Sequence, residues 1–340
     1  MKKGQFSKLS KILKSHEFMV FVILVLLSVA ISLKNPAFFS ISTLFEISRS
    51  SLVFCIMGFG ALLVLISGGV DISFVAIAAM TSYTTHILML KLGYAGGITL
   101  YFFVATSLGL LAGLLMGFII TRFDLPVFHV SIAAMSLWYG FTLFFIGANQ
   151  NFKMPQGMVG YYSRYLVTVK DPFMGQSGLH ISVILLIVIA AFIGWLLKYT
   201  LFGRGLYAMG GDREVAVRSG YNVRLITLVM FALVGILAAI AGVTQSGFSR
   251  YFNPVLFMGQ ELDVLAAVII GGASITGGRG TVIGTILGVV LIDVLNRGLI
   301  LVGISAEWQK LIIGLVLALF ISIPAIRQQR AKRLRYVTDP

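Results

Sequence analysis

Long apolar stretches alternate with short polar ones along nearly the whole chain. A helix that crosses the hydrocarbon layer of a membrane needs about 20 mostly apolar residues. The stretches that predict such spans are 18–34, 51–67, 72–90, 98–120, 127–147, 180–198, 226–247, 261–273, 282–302 and 308–326. The second and the eighth are short and end in glycine pairs, so eight full spans with two re-entrant segments is the alternative. The pattern predicts an all-α polytopic membrane protein with about ten transmembrane helices.

The composition of the chain agrees with a membrane protein. Of its 340 residues, 58% are hydrophobic and 11% are charged, whereas a soluble domain is about half apolar and about a quarter charged. So few polar residues cannot cover the surface of a water-soluble particle of this size. A single cysteine and four histidines argue against a disulfide scaffold and against a metal site.

The net charge of +14 comes largely from basic residues at the two ends of the chain. Lys and Arg beside membrane spans are retained on the cytoplasmic side. Residues 1–17 and 327–340 are therefore predicted to be basic cytoplasmic segments that flank one transmembrane domain over 18–326. With both termini inside, Lys and Arg divide into 17 inside and 9 outside. The charge indicates membrane topology and contact with anionic lipid, and no nucleic-acid partner is expected.

The sequence lacks the residues of a nucleotide site. A Walker A loop needs Gly-Lys followed by Ser or Thr to hold the phosphates, and the dipeptide Gly-Lys does not occur in this chain. The glycine cluster at 277–280 follows no predicted strand and is interpreted as a tight turn between helices. His86, His129 and His180 are scattered over different segments. We expect no catalytic residues and no cofactor in this chain.

The predicted cytoplasmic loop 199–225 contains a short capped helix. Asp212 is a suitable N-cap. Gly220 is suitable just beyond the helix C-terminus, because glycine adopts the left-handed conformation easily. The two turns between them are too short to be stable alone in water. Such a helix either links two spans or docks into a groove of another protein.

This loop resembles the coupling loop of ATP-binding-cassette (ABC) importer permeases. Residues 214–220 follow the Glu-Ala-Ala-x-x-x-Gly motif of that family, with Val215 in place of the first Ala. Residues 203–211 look like the approach to this helix in the ribose-type, or simple-sugar, permeases. The resemblance implies that coupling to an ATPase subunit involves Gly203, Arg204, Gly210, Asp212, Arg213, Glu214, Ala216, Arg218 and Gly220.

Glycine-containing segments elsewhere carry the same resemblance. Residues 67–73, 266–285 and 295–299 are similar to segments of the simple-sugar permeases, in the same order along the chain. Residues 74–76 are bulkier than in that family, and 148–179 matches none of its subfamilies. The first two segments share the frame Gly-Gly-x-x-Ile-(Ser/Thr), which suggests an internal repeat. Their glycines are expected to break helices at Gly68, Gly69, Gly271, Gly272, Gly277, Gly278 and Gly280.

The resemblance implies a type II importer fold and a division of labour between subunits. Two permeases, identical or paralogous, would form the pathway for a monosaccharide or related small solute in the cytoplasmic (inner) membrane. A cytoplasmic tandem ABC ATPase would bind ATP and Mg²⁺, and an extracytoplasmic solute-binding protein would deliver the substrate. Permeases for nucleosides, for a furanosyl signalling molecule or for branched-chain amino acids share the glycine segments and stay as alternatives.

Polar and aromatic residues inside the predicted spans are candidates for the substrate path, because ionisable groups are costly in a membrane. Asp293 and Arg297 lie four residues apart, and they either line the path or lock two helices together. Asp71 either caps the following helix or gates the inner mouth. The candidate set also includes Asn296, Phe128 and Trp138. An ion-coupled secondary transporter that uses Asp293 or Asp71, and a membrane subunit without a path, are the alternatives from other classes.

Overall fold

A computed structural model of the chain describes residues 16–171 and 175–305, with scattered residues between 308 and 318. The elements follow one another as helices and one pair of strands. They are α1 (His16–Lys34), α2 (Ile41–Ile66), α3 (Phe74–Lys91), α4 (Ile98–Phe123), α5 (Val127–Phe141), α6 (Gln156–Tyr162), β1 (Tyr165–Asp171), β2 (Gly175–His180), α7 (Ser182–Tyr199), α8 (Leu201–Gly211), α9 (Arg213–Arg218), α10 (Val223–Ser249), α11 (Glu261–Ile270) and α12 (Val282–Leu301).

Seven helices of the described part are long and apolar enough to cross a membrane, namely α1, α2, α4, α5 with its continuation to Ile146, α7, α10 and α12. The architecture is that of a polytopic membrane protein, and the predicted count of about ten spans is not confirmed. α3 has polar Thr, Ser and His side chains in its second half, and α11 has only 10 residues. The predicted span 308–326 and the basic segments 1–17 and 327–340 lie largely outside the described residues.

α2 begins ten residues before the predicted second span, at Ile41 rather than at 51. The prediction of a short second span, and of a re-entrant segment there, was therefore wrong. The extra turns contain polar residues that resemble a loop in the sequence. In the structure the Ser40 hydroxyl accepts a hydrogen bond from the Thr43 amide at 3.1 Å, and Glu46 pairs with Arg297 at 2.9 Å. Bonds within the protein thus satisfy the polar groups that the sequence pattern counted against a helix.

α2 and α10 form the centre of the helix bundle. In their most apolar stretches 83% of the residues of α2 and 72% of those of α10 are buried, against 11% in α1. α10 packs against α4, α2 and α3. Gly109 and Gly113 of α4 face the backbone of α10 around Gly235, and small residues of this kind let helices approach closely in a membrane.

The chain between α5 and α7 forms a β-hairpin, which corrects the prediction of an all-α fold. β1 and β2 pair antiparallel, from Tyr165 opposite His180 to Asp171 opposite Gly175. Residues 167–169 are Val-Thr-Val, and such β-branched residues favour an extended conformation. The hairpin packs against α2. We call this end of the bundle the hairpin end, and the opposite end of α7, where α8 and α9 follow, the α9 end.

His180, the last residue of β2, ties the hairpin to its neighbours. Its Nδ1 accepts a hydrogen bond from the Ser182 amide at 3.1 Å, and its Nε2 lies 3.0 Å from the carbonyl oxygen of Tyr161. Burial lowers the pKa of His180 below its ordinary value. The folded protein therefore favours the neutral ring, in which Nδ1 is an acceptor.

We expect this histidine to make the hairpin end sensitive to acid. The unfolded chain binds the proton more readily, so the stabilising contribution is complete at neutral pH and is lost as the pH falls below about 6.5, the ordinary histidine pKa. The midpoint of thermal unfolding of the solubilised protein should fall between pH 7 and pH 5, and fall less in His180→Gln. An identical pH dependence in both proteins would contradict this role.

Candidate coupling and transport sites

The predicted loop 199–225 contains two consecutive helices, whereas the sequence predicted one. α8 begins after Thr200, whose hydroxyl accepts a hydrogen bond from the Gly203 amide at 3.1 Å. The four glycines of α8 lower its helix propensity, so the sequence did not predict this helix. Packing outweighs that cost, because Gly203 lies against Leu197 and Gly205 lies against Tyr221 and Ile226.

The predicted capped helix is present as α9. The Asp212 carboxylate accepts hydrogen bonds from the amides of Glu214 and Val215, at 2.9 and 3.1 Å. Gly220, just beyond the helix, has a φ of +85°. Ala216 is buried, whereas the side chains of Val215 and Val217 are left more than half exposed. α9 therefore presents apolar side chains at the end of the bundle.

Charged residues orient α9 against the rest of the chain. Arg213 donates to Asp124, in the turn between α4 and α5, at 2.8 Å, and Arg218 lies 3.4 Å from Glu214. Exposed ion pairs of this kind contribute at most about 1 kcal/mol. The pair of Arg213 with Asp124 fixes the direction of α9, because it joins the helix to another part of the chain, whereas Glu214 and Arg218 both belong to α9. Arg204, on α8, is exposed.

The first helix break, 67–73, connects α2 to α3. Asp71 is buried, and its Oδ1 accepts hydrogen bonds from the backbone amide and the hydroxyl of Ser73, at 2.8 and 2.7 Å. The carboxylate thus fixes the conformation of the chain just before α3. Within the described residues Asp71 Oδ2 has no hydrogen-bond partner. A role of Asp71 as a gate stays a prediction.

The second helix break, 271–281, connects α11 to α12. A hydrogen bond of 3.1 Å from the Ser274 amide to the Arg279 carbonyl closes its turn. α1 contacts both ends of the break, since His16 Nε2 lies 2.8 Å from the Ile270 carbonyl oxygen and Thr281 donates to Glu17 at 3.1 Å. The two breaks contain all the predicted break glycines, which are Gly68, Gly69, Gly271, Gly272, Gly277, Gly278 and Gly280.

A small cavity of about 20 Å³, which has room for about one water molecule, lies between α2, α11 and α12. It holds two of the five path candidates, Asp293 and Asn296. Apolar residues of the same three helices cover much of its wall. Its complete lining is Phe54, Asp263, Ala267, Val289, Ile292, Asp293 and Asn296.

Asp293 both lines this cavity and locks α12 to α2. Its Oδ2 accepts hydrogen bonds from the hydroxyls of Ser50 and Ser51 on α2, at 2.5 and 3.1 Å. Arg297 lies 3.6 Å from the same oxygen and also pairs with Glu46 of α2. This oxygen of the carboxylate is therefore held by protein groups. The structure thus shows the lock between two helices, and a path role for Asp293 stays a prediction.

The other three path candidates lie elsewhere. Trp138 lines a separate apolar groove formed by α4 and α5. Phe128, at the start of α5, is exposed over 46% of its surface, and Asp71 is buried in the first break. The structure thus does not bring the five candidates into one site, and a path role for each of them stays a prediction.

Sequence reasoning missed four residues around the cavity. Ser50 and Ser51 hydrogen-bond to Asp293 across some 240 positions of sequence, and no local pattern indicates such a pair. Phe54 and Asp263 line the cavity beside Asn296. The only available signal was that Asp263 is an acidic residue within a predicted span, which marks it as a candidate.

Within the described residues, seven membrane-capable helices and two glycine-containing breaks at one end of the bundle define a polytopic membrane protein. A comparison with models of known protein families identifies the family of the chain. The model of the "Branched-chain amino acid transport system / permease component" family matches residues 43–321, and the chain belongs to this family of permeases.

Several curated permeases are similar to the chain over most of its length. The ribose import permease protein RbsC of Bacillus subtilis (strain 168) is 30% identical over 87% of this chain and 89% of its own. The galactose/methyl galactoside import permease protein MglC of Escherichia coli (strain K12) is 28% identical, over 92% and 95%. The autoinducer 2 import system permease protein LsrC of Klebsiella pneumoniae is 29% identical, over 90% and 85%. No solved structure matches the chain.

Proposed function

We propose that this chain is the membrane-spanning subunit of an ATP-driven importer for a monosaccharide or a related polyhydroxylated solute. The observation that carries the proposal is α9, a helix of 6 residues capped by Asp212. Its apolar side chains Val215 and Val217 are exposed, and it stands at the end of the bundle. A short helix of this kind gains stability by packing into a partner. The partner that fits the family is an ATPase subunit.

The substrate class follows from the relatives and from the chemistry of the cavity. The three relatives are named for the import of ribose, galactose or methyl galactoside, and autoinducer 2. Asn296 supplies an amide donor and acceptor that suit a hydroxyl group, and Phe54 offers an apolar ring face. Small-molecule sites commonly combine apolar walls with a few polar groups.

The proposed assembly gives each end of the bundle a partner. In the cytoplasmic (inner) membrane the α9 end and both termini would face the cytoplasm, where a tandem ABC ATPase binds ATP and Mg²⁺. The extracytoplasmic solute-binding protein would dock at the hairpin end. A second permease subunit, identical or paralogous, would complete the pathway.

The proposal is tested on the wild-type chain purified from its native membrane. We expect mass spectrometry to find a tandem ATPase and an exported binding protein with it. Titration of ribose, galactose, nucleosides, furanosyl signalling molecules and branched-chain amino acids against that binding protein then identifies the substrate. In proteoliposomes, uptake should require ATP on the α9 side and persist when a protonophore removes the proton gradient. A chain recovered alone, whose uptake collapses with the gradient while ATP is kept, would instead be an ion-coupled transporter.

A further inference from the structure

Three segments that are distant in sequence meet at the α9 end of the bundle. They are the first break (67–73), α8 and the second break (271–281). The closest approach involves Gly68, Gly210, Gly277 and Gly278, and we call this contact the glycine junction.

The glycine junction is a contact between backbones. A Cβ on Gly210 would overlap the carbonyl oxygen of Ile66 and the amide nitrogen of Gly278. A Cβ on Gly277 would lie 2.5 Å from the carbonyl oxygen of Gly210 and 2.8 Å from the Cα of Gly68. Only glycine therefore fits between α8 and the two breaks.

Two hydrogen bonds reinforce the glycine junction. The Gly278 amide donates to the Ile66 carbonyl at 2.9 Å, which joins the second break to the end of α2, directly before the first break. The Tyr207 hydroxyl, on α8, donates to the Gly280 carbonyl at 2.7 Å. Close-packed interiors are stiff and transmit strain. Because the contact lacks intervening side chains that could adjust their rotamers, a displacement of α8 has to move both breaks.

Each element of the glycine junction leads to a different part of the molecule. Asp212 ends α8 and also caps α9, so these two helices are joined without a linker. The first break continues into α3 through Asp71 and Ser73. The second break continues into α12, which carries Asp293 and Asn296 of the cavity. A continuous series of contacts therefore leads from α9 through α8 to α3 and to α12.

We propose that Gly210 and Tyr207 are positioning residues that transmit the displacement of α9 through the glycine junction to α3 and α12. This inference rests on the proposed function, in which an ATPase displaces α9. Neither residue touches the substrate or the nucleotide. What they determine is how much transport results from each ATP hydrolysed.

The test compares two adjacent glycines in the complete transporter. Gly210→Ala places a methyl group into the backbone contact, whereas Gly211→Ala places the same group where none of the surrounding described atoms lies within 4 Å. In proteoliposomes we expect Gly210→Ala to lower the amount of substrate taken up per ATP hydrolysed at least tenfold, and Gly211→Ala to leave this ratio unchanged. Tyr207→Phe removes one hydrogen bond and keeps the packing, so it should lower the ratio several-fold.

Each result of this experiment decides the inference. A wild-type ratio in Gly210→Ala, or an equal loss in Gly211→Ala, would overturn it. If Gly210→Ala does not accumulate in the membrane, the test depends on Tyr207→Phe. An unchanged ratio of substrate taken up to ATP hydrolysed in that variant would overturn the inference. A wild-type protein without ATP-driven uptake is a different outcome, because it contradicts the proposed function itself.

Discussion

Gly220→Trp is expected to abolish ATP-driven uptake while the chain still folds and inserts into the membrane. A Cβ atom added at Gly220 would lie more than 4 Å from the surrounding atoms of the described part of the chain. An indole ring there would therefore project outward beside α9, into the space where we place the ATPase. The left-handed conformation, with φ at +85°, costs a residue other than glycine only about 1–2 kcal/mol. Loss of uptake would thus come from blocked docking.

The matched control is Gly220→Ala, which carries the same backbone strain without the bulk. We expect it to retain most of the uptake and to co-purify with the ATPase, whereas Gly220→Trp does not. Size-exclusion profiles in detergent verify the folding of both variants. Normal uptake by Gly220→Trp would contradict the proposal that α9 docks onto the ATPase. Equal losses in the two variants would make backbone strain the cause.

The parts of the structure that the sequence predicted best depend on local signals. Asp212 and Gly220 mark the ends of α9 because capping involves residues only a few positions apart. The break glycines were recognised for the same reason, since they interrupt apolar stretches. The shared frame at 67–73 and 271–276 singled out two segments that both reach α8 in the glycine junction.

The elements that the sequence missed depend on tertiary contacts. The four glycines of α8 argue locally against a helix, and they are tolerated because neighbouring backbones occupy the space of their side chains. The first turns of α2 contain polar residues that argue against a membrane span in the sequence. The structure accommodates them because Glu46 pairs with Arg297. The hairpin sits in a polar stretch, where a membrane-span pattern gives no information about strands. Helix and strand propensities are weak predictors wherever tertiary packing determines the secondary structure.

The cavity could be predicted only in part, because its residues come from three helices. Asp293 stood out as an acid inside a span, but its bonds to Ser50 and Ser51 depend on the packing of α12 against α2. Aromatic residues chosen for stacking, such as Trp138, lie in another groove. Residue type therefore identified the chemistry, and only the fold shows which residues share a site.

Asn296 and Asp293 are expected to differ in their effects, although both line the cavity. The Asn296 amide makes no hydrogen bond within the described residues, so it is available to a sugar hydroxyl. Asn296→Leu keeps a similar volume and removes a hydrogen bond worth about 1–1.5 kcal/mol. Since 1.4 kcal/mol is a factor of ten in rate, maximal uptake with saturating loaded binding protein should fall about tenfold, with an unchanged thermal unfolding midpoint.

Asp293→Asn should show the reverse pattern. The amide oxygen can still accept hydrogen bonds from Ser50 and Ser51, but these bonds lose the strength that the negative charge gives them. The uncharged side chain also leaves Arg297 with Glu46 as its ion-pair partner. We expect a lower unfolding midpoint and a lower yield, with near-normal uptake per folded transporter. Uptake assays and thermal unfolding on both variants separate the two roles. If Asp293→Asn slows uptake without loss of stability and Asn296→Leu does not, Asp293 is the residue in contact with the sugar.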